Sequence, residues 1–86
     1  MTAQEAYRIF TAARDDLVVM SCYEYYSRFV FHAVPPSYAT AAKAKEVFDS
    51  LYSVVKNTGK VTQFTPFDIS TDEYKRGKRI TIYDHK

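Results

Sequence analysis

The chain has no tryptophan, one cysteine, two glycines and three prolines among its 86 residues, and each scarcity removes a class of protein. A lone thiol, Cys22, cannot form an intramolecular disulfide or a thiolate cluster for zinc or iron–sulfur, which suits a reducing compartment. So few glycines leave no dinucleotide fingerprint and no Walker-type phosphate loop, and together with the few prolines they exclude a low-complexity linker. No stretch approaches the roughly 20 apolar residues of a membrane-spanning helix, so no membrane partner is expected. The opening "MTAQEAYRIF" carries Glu5 and lacks a basic segment ahead of a long apolar run. It therefore predicts no secretory signal, and a cytoplasmic location. Net charge is scarce too: +2 is too small by itself to argue for nucleic acid or a membrane surface.

What the chain does have is apolar and aromatic surface. Hydrophobic residues make up 47% of it, and eight tyrosines and six phenylalanines bring the aromatic share to 16%. That is enough for one packed core but not for two, so a single domain over 1–86 is expected.

Thr2 followed by Glu5 has the spacing of a reciprocal helix cap, and Ala6, Tyr7, Phe10 and Ala13 recur at helical spacing with Ile9 beside them. A helix over about 3–14 with one apolar stripe is predicted. "DLVVMSCYEYYSRFVFHAV" is rich in β-branched and aromatic residues and reads as strands over about 16–24 and 27–34 with a bend at Glu24 to Ser27. Phe29, Phe31 and Ala33 share one face of the second strand, which is the expected seat of the helix. Pro35 and Pro36 end that strand, and a long connection over 35–46, a loop or one short helix, is expected to be the most mobile part outside the termini.

"FDSLYSVVK" and "KVTQFTPF" read as a second hairpin joined by Lys56, Asn57, Thr58 and Gly59. Gly59 suits the positive-φ position of a three-residue loop, so Asn57, Thr58 and Gly59 are assigned as a structural turn. Ser70 or Thr71 caps a short helix, Gly77 ends it, and "RITIYD" alternates as a last edge strand. The expected fold class is α+β: an N-terminal helix packed on a mainly antiparallel sheet of four to five strands built from two hairpins.

A helix containing "QEAYRIF" followed by hairpins, the second turning at "VVKNTGKV", resembles the small PepSY-type domain, whose later strands meet at a "DxxTGKV"-like turn. Thr58, Gly59, Lys60 and Val61 match that turn, while Val55 stands where the family has aspartate. The resemblance implies binding to or restraint of peptidases, usually by exported or membrane-associated proteins. In overall look the chain is also similar to short prophage-encoded proteins of Gram-positive bacteria. Neither likeness supplies catalytic residues.

Residues with chemical potential are few. Cys22 and His32 fall on neighbouring predicted strands and would start a thiolate–imidazole pair if they faced each other, but no third orienting group accompanies them. His32 and His85 are far apart and the carboxylates lack EF-hand spacing, so no metal, cofactor or catalytic residue is assigned. Lys75, Arg76, Lys78 and Arg79 form a basic run suited to phosphate contacts, yet Asp68, Asp72, Glu73 and Asp84 surround it, so a nucleic-acid role ranks second. Tyr23, Tyr25 and Tyr26 cluster at one bend, and alternation puts Tyr23 and Tyr25 on one face with Tyr26 outside it. With Arg28 they form the candidate surface for a protein partner or for a homodimer, and the function read first is a non-enzymatic binding or assembly module, with a phage-associated role in view.

Overall fold

The computed structural model describes residues 1–36 and 51–81. Helix α1 spans Ala3–Ala13, followed by strands β1 (Val18–Glu24), β2 (Arg28–Val34), β3 (Leu51–Val55) and β4 (Val61–Gln63). A 3₁₀ turn at Pro66–Asp68 leads to helix α2 (Thr71–Lys75) and strand β5 (Lys78–Ile80). The five strands form one antiparallel sheet in the order β4-β3-β2-β1-β5. The fold class and both hairpins are as the sequence predicts. The 35–46 connection lies almost wholly outside the described residues.

Helix α1 begins where its cap dictates. The Glu5 amide donates to Thr2 Oγ1 and the Thr2 amide to the Glu5 carboxylate, each at 3.1 Å, so two amides without helical partners are satisfied reciprocally. Hydrogen bonding to the ionised form, first from the Thr2 backbone and then from its side chain, holds the Glu5 carboxyl below its ordinary pKa. Ala6 and Phe10 are fully buried, and the Phe10 ring stacks on Phe31 at 5.2 Å with the planes 14° apart. The helix therefore sits on the Phe29, Phe31 and Ala33 face. One detail differs from the helical stripe: Ala13 is exposed, because the helix ends there and the Arg14 amide closes it on the Phe10 carbonyl.

Strand β1 is apolar on both faces, which leaves its register open in the sequence; a bulge resolves it. Val19 opposes Ala33 and Ser21 opposes His32, leaving Met20 without an opposite number. Val19 and Cys22 can then both pack on the α1 side, while Tyr23 joins Tyr25, Val30, Phe64, Leu51 and Ile69 in a second cluster on the other face.

The segment after β4 supplies the cover for that second face. Phe64 stacks on Tyr25 at 5.8 Å and Ile69 packs beside it as the chain runs from one edge of the sheet to the other. Ser70 caps α2 by accepting from the Glu73 amide at 3.1 Å. Gly77 follows α2, and its role is not the turn alone: its φ is not positive, but a Cβ built there would collide with the Tyr25 ring.

Gly59 does have positive φ, at 72°, alone among the described residues. Its amide donates to the Val55 carbonyl at 2.7 Å, so the loop is the four-residue form spanning Lys56 to Gly59, one residue longer than the predicted three. The reason for glycine is unchanged, since an L side chain is strained at that φ. Gly59→Ala is expected to lower unfolding free energy by about 1 kcal/mol, and Gly77→Ala by roughly 1–3 kcal/mol because the Tyr25 ring must move. Urea titration of both variants checks the order; Gly77→Ala as stable as the native chain would contradict the close approach.

Candidate functional site

The sharpest local feature is the bend between β1 and β2. The Tyr25 amide donates to the Arg28 carbonyl at 2.9 Å, leaving Tyr26 and Ser27 as the tip. Tight two-residue hairpin turns usually rely on positive φ at glycine or asparagine. This one has neither residue, nor any positive φ, and it is held from outside instead. The Ser27 amide and hydroxyl both donate to Glu73 Oε2, at 2.7 and 2.6 Å, and the Ser27 carbonyl accepts from the Lys56 amide at 2.9 Å. A carboxylate from α2 and the backbone of the second hairpin thus pin the bend on two sides.

The pinned bend presents Tyr26 to solvent, 89% exposed. Its neighbours in sequence do other work. Tyr25 is buried, stacked on Phe64 and edge-on to Tyr74, and Tyr23 is half-buried in the same cluster. The Arg28 guanidinium lies within 3.5 Å of the Ser27 and Ser53 hydroxyls, and Ser53 is fully buried and shares a 2.9 Å hydrogen bond with Thr62. Of the four candidates Tyr23, Tyr25, Tyr26 and Arg28, the ring of Tyr26 is the one displayed; the others hold the fold beneath it.

Beside Tyr26 is a groove of about 570 Å³ lined by Glu24, Lys56, Asp72, Glu73, Arg76 and Lys78 among others. Lys56 bridges to Glu24 at 2.8 Å and sits 4.9 Å from the centre of the Phe29 ring. Arg76 and Lys78 are exposed and form no ion pair with another described residue. The structure therefore brings the tyrosine bend and part of the basic run to one place, an association the linear sequence conceals. It also divides that run. Lys78 and Arg79 are adjacent strand residues and point to opposite faces: Lys78 opposes Glu24, whereas Arg79 opposes Tyr23, on the face away from α1. Lys75 is exposed in the last turn of α2.

Cys22 and His32 do not meet. Cys22 opposes Phe31 and lies on the α1 side, whereas His32 opposes Ser21 and Leu51 and belongs to the other face. The two-residue tip at Tyr26 and Ser27 sets this offset, since pairing then runs without a shift from Glu24 opposite Phe29 to Ser21 opposite His32. Burial, with the Glu24 charge second, pushes the Cys22 thiol up to about 12, so the nucleophilic thiolate is suppressed. Among the described residues no group of three or more His, Cys, Asp or Glu side chains could hold a metal ion. Nor is any helix among them long and apolar enough to cross a membrane.

The Thr58 to Val61 turn that carries the PepSY resemblance is the hairpin turn described above. Neither a protein-family model, nor a curated protein, nor a solved structure matches the chain, so the functional reading is built on the geometry.

Two outcomes follow. Cys22 should react with a thiol reagent orders of magnitude more slowly in the native protein than in denaturant; native labelling as fast as that of a free thiol would contradict its burial. Glu73→Ala should destabilise the protein by roughly 1–3 kcal/mol, because it removes two hydrogen bonds to a charged group and leaves the Ser27 amide unpaired. Denaturant unfolding measures it, and an unchanged midpoint would show that the bend holds its shape without the carboxylate.

Proposed function

We propose that this chain is a small non-enzymatic binding module that engages a protein partner through Tyr26 and the groove beside it. The observation that carries the reading is the almost fully exposed Tyr26 ring on a bend fixed by Glu73 and Lys56. A tyrosine presented from a pinned backbone gives large amphipathic contact area for the ordering of only two side-chain torsions, which is the physical character of an interface anchor. Around it, Arg76 and Lys78 alternate with Asp72, Glu73 and Glu24, and charges of both signs set orientation and partner choice more than raw affinity.

A second reading has one observation in its favour. An exposed tyrosine beside Arg76 and Lys78 is also the arrangement that stacks an unpaired base and contacts its phosphate. Three carboxylates in the same groove oppose a polyanion, and Arg79 is turned elsewhere, so the protein partner is preferred. A cytoplasmic site of action and an assembly role, including a phage-associated one, are compatible with this reading and are proposed with it.

A photoreactive amino acid placed at position 26 in the source cell tests the choice. The expected product is one discrete protein adduct, lost when Arg76→Glu and Lys78→Glu are introduced, and Tyr26→Ser should weaken the isolated complex about tenfold or more. Titration with single-stranded DNA should show no binding at physiological salt. Binding there, with an affinity falling steeply and linearly on log–log axes as salt rises and abolished by replacing Lys75, Arg76, Lys78 and Arg79, would replace the protein partner with nucleic acid.

A further inference from the structure

The two edges of the sheet are not alike. β5 carries Lys78 and Arg79, and a second copy laid against it would bring like charges face to face, the usual protection of an edge. β4, Val61–Gln63, carries no charge on the strand itself, and among the described residues it is the outer strand at the other end of the sheet.

Its backbone shows which groups are available there. The Val55 amide donates to the Lys60 carbonyl at 3.0 Å and the Phe64 amide to the Leu51 carbonyl at 2.9 Å, with Ser53 opposite Thr62 between them. In an antiparallel ladder alternate residues bond inward, so Lys60, Thr62 and Phe64 face β3, while the amides and carbonyls of Val61 and Gln63 face away from the sheet.

We infer that β4 is a self-pairing edge, at which a second copy of this chain adds its own β4 antiparallel about a two-fold axis through Thr62. The occupant is a second copy because the strand is complementary to itself. Placing Thr62 opposite Thr62 puts Val61 opposite Gln63 of the other chain, and each such pair exchanges both of its outward backbone bonds with no like charges in register. The flanks agree. Lys60 precedes the strand and Asp68 follows it, both exposed, so the antiparallel arrangement sets the basic end of one copy beside the acidic end of the other. Phe67, in the turn just past β4, is 95% exposed. It follows Gln63 by so few residues that it must lie near the strand's end, where the two-fold would place the Lys56 to Gly59 turn of the other copy against it. This surface is distinct from the Tyr26 groove, and the inference does not rest on that reading.

Sedimentation of the full chain from low micromolar to millimolar concentration, combined with residue-resolved amide exchange, tests it. The expected result is a reversible monomer–dimer equilibrium in which the Val61 and Gln63 amides gain protection of about tenfold or more on dimerisation, while Thr62 and Phe64 are protected throughout. Gln63→Pro removes an outward donor without removing a bond to β3, and should raise the dissociation constant at least about tenfold; Tyr26→Ser should leave it unchanged. A monomer at millimolar concentration would overturn the inference, as would a dimer in which the Val61 and Gln63 amides stay unprotected. The exchange experiment uses the native chain, so it decides even if Gln63→Pro fails to fold.

Discussion

Phe29 through Val34 of β2 are all buried, and a strand buried without alternation must be covered on both faces. Helix α1 covers one face through Ala6 and Phe10. Among the described residues the other face is covered by Phe64 and Ile69 with Tyr25, Tyr23 and Leu51. Phe64 and Ile69 lie in the segment that leaves β4, so the chain crosses beneath the sheet before it can form its last strand. The next strand consequently joins at the far edge, beside β1 rather than β4. Double burial of the central strand thus sets the strand order.

The same crossing sets the site. It delivers α2 to the β1–β2 bend, where Glu73 reaches Ser27 and the Tyr25 ring fits over Gly77. The bend has no glycine to relax it and instead borrows rigidity from a residue 46 positions away in the chain. Tyr26 is held outward as a result, between the Lys56–Glu24 pair and the cations Arg76, just past α2, and Lys78 of β5. Core packing and surface display are therefore one arrangement, and loosening the crossing segment would disorder both.

Features encoded within a few residues were legible in the sequence. The Thr2–Glu5 cap, the phenylalanine face of β2, a cap at Ser70 or Thr71, which the structure places at Ser70, and the glycine requirement at position 59 each follow from local backbone chemistry, and each recurs in the structure. Features that depend on distant residues were not. The bulge at Met20 places Val19 and Cys22 on the same side, and nothing in an evenly apolar strand announces it. Gly77 reads as a helix stop, although the Tyr25 ring is what demands it. Arg28 reads as part of an exposed bend, yet it is tied to Ser27 and buried Ser53 on a strand two hairpins' pairing brings alongside. The groove at Tyr26 joins three segments whose approach depends on the strand order.

Nuclear Overhauser contacts between the Tyr25 ring and Gly77 report most directly on whether the chain crosses beneath the sheet to reach β1. The crossing predicts strong contacts from the ring protons to the Gly77 α-protons, with those α-protons shifted by the ring, alongside cross-strand contacts from Tyr23 to Arg79. Absence of both, with Lys78 to Ile80 instead in contact with β4, would mean that the second face of β2 is covered in another way and that α2 does not support the bend.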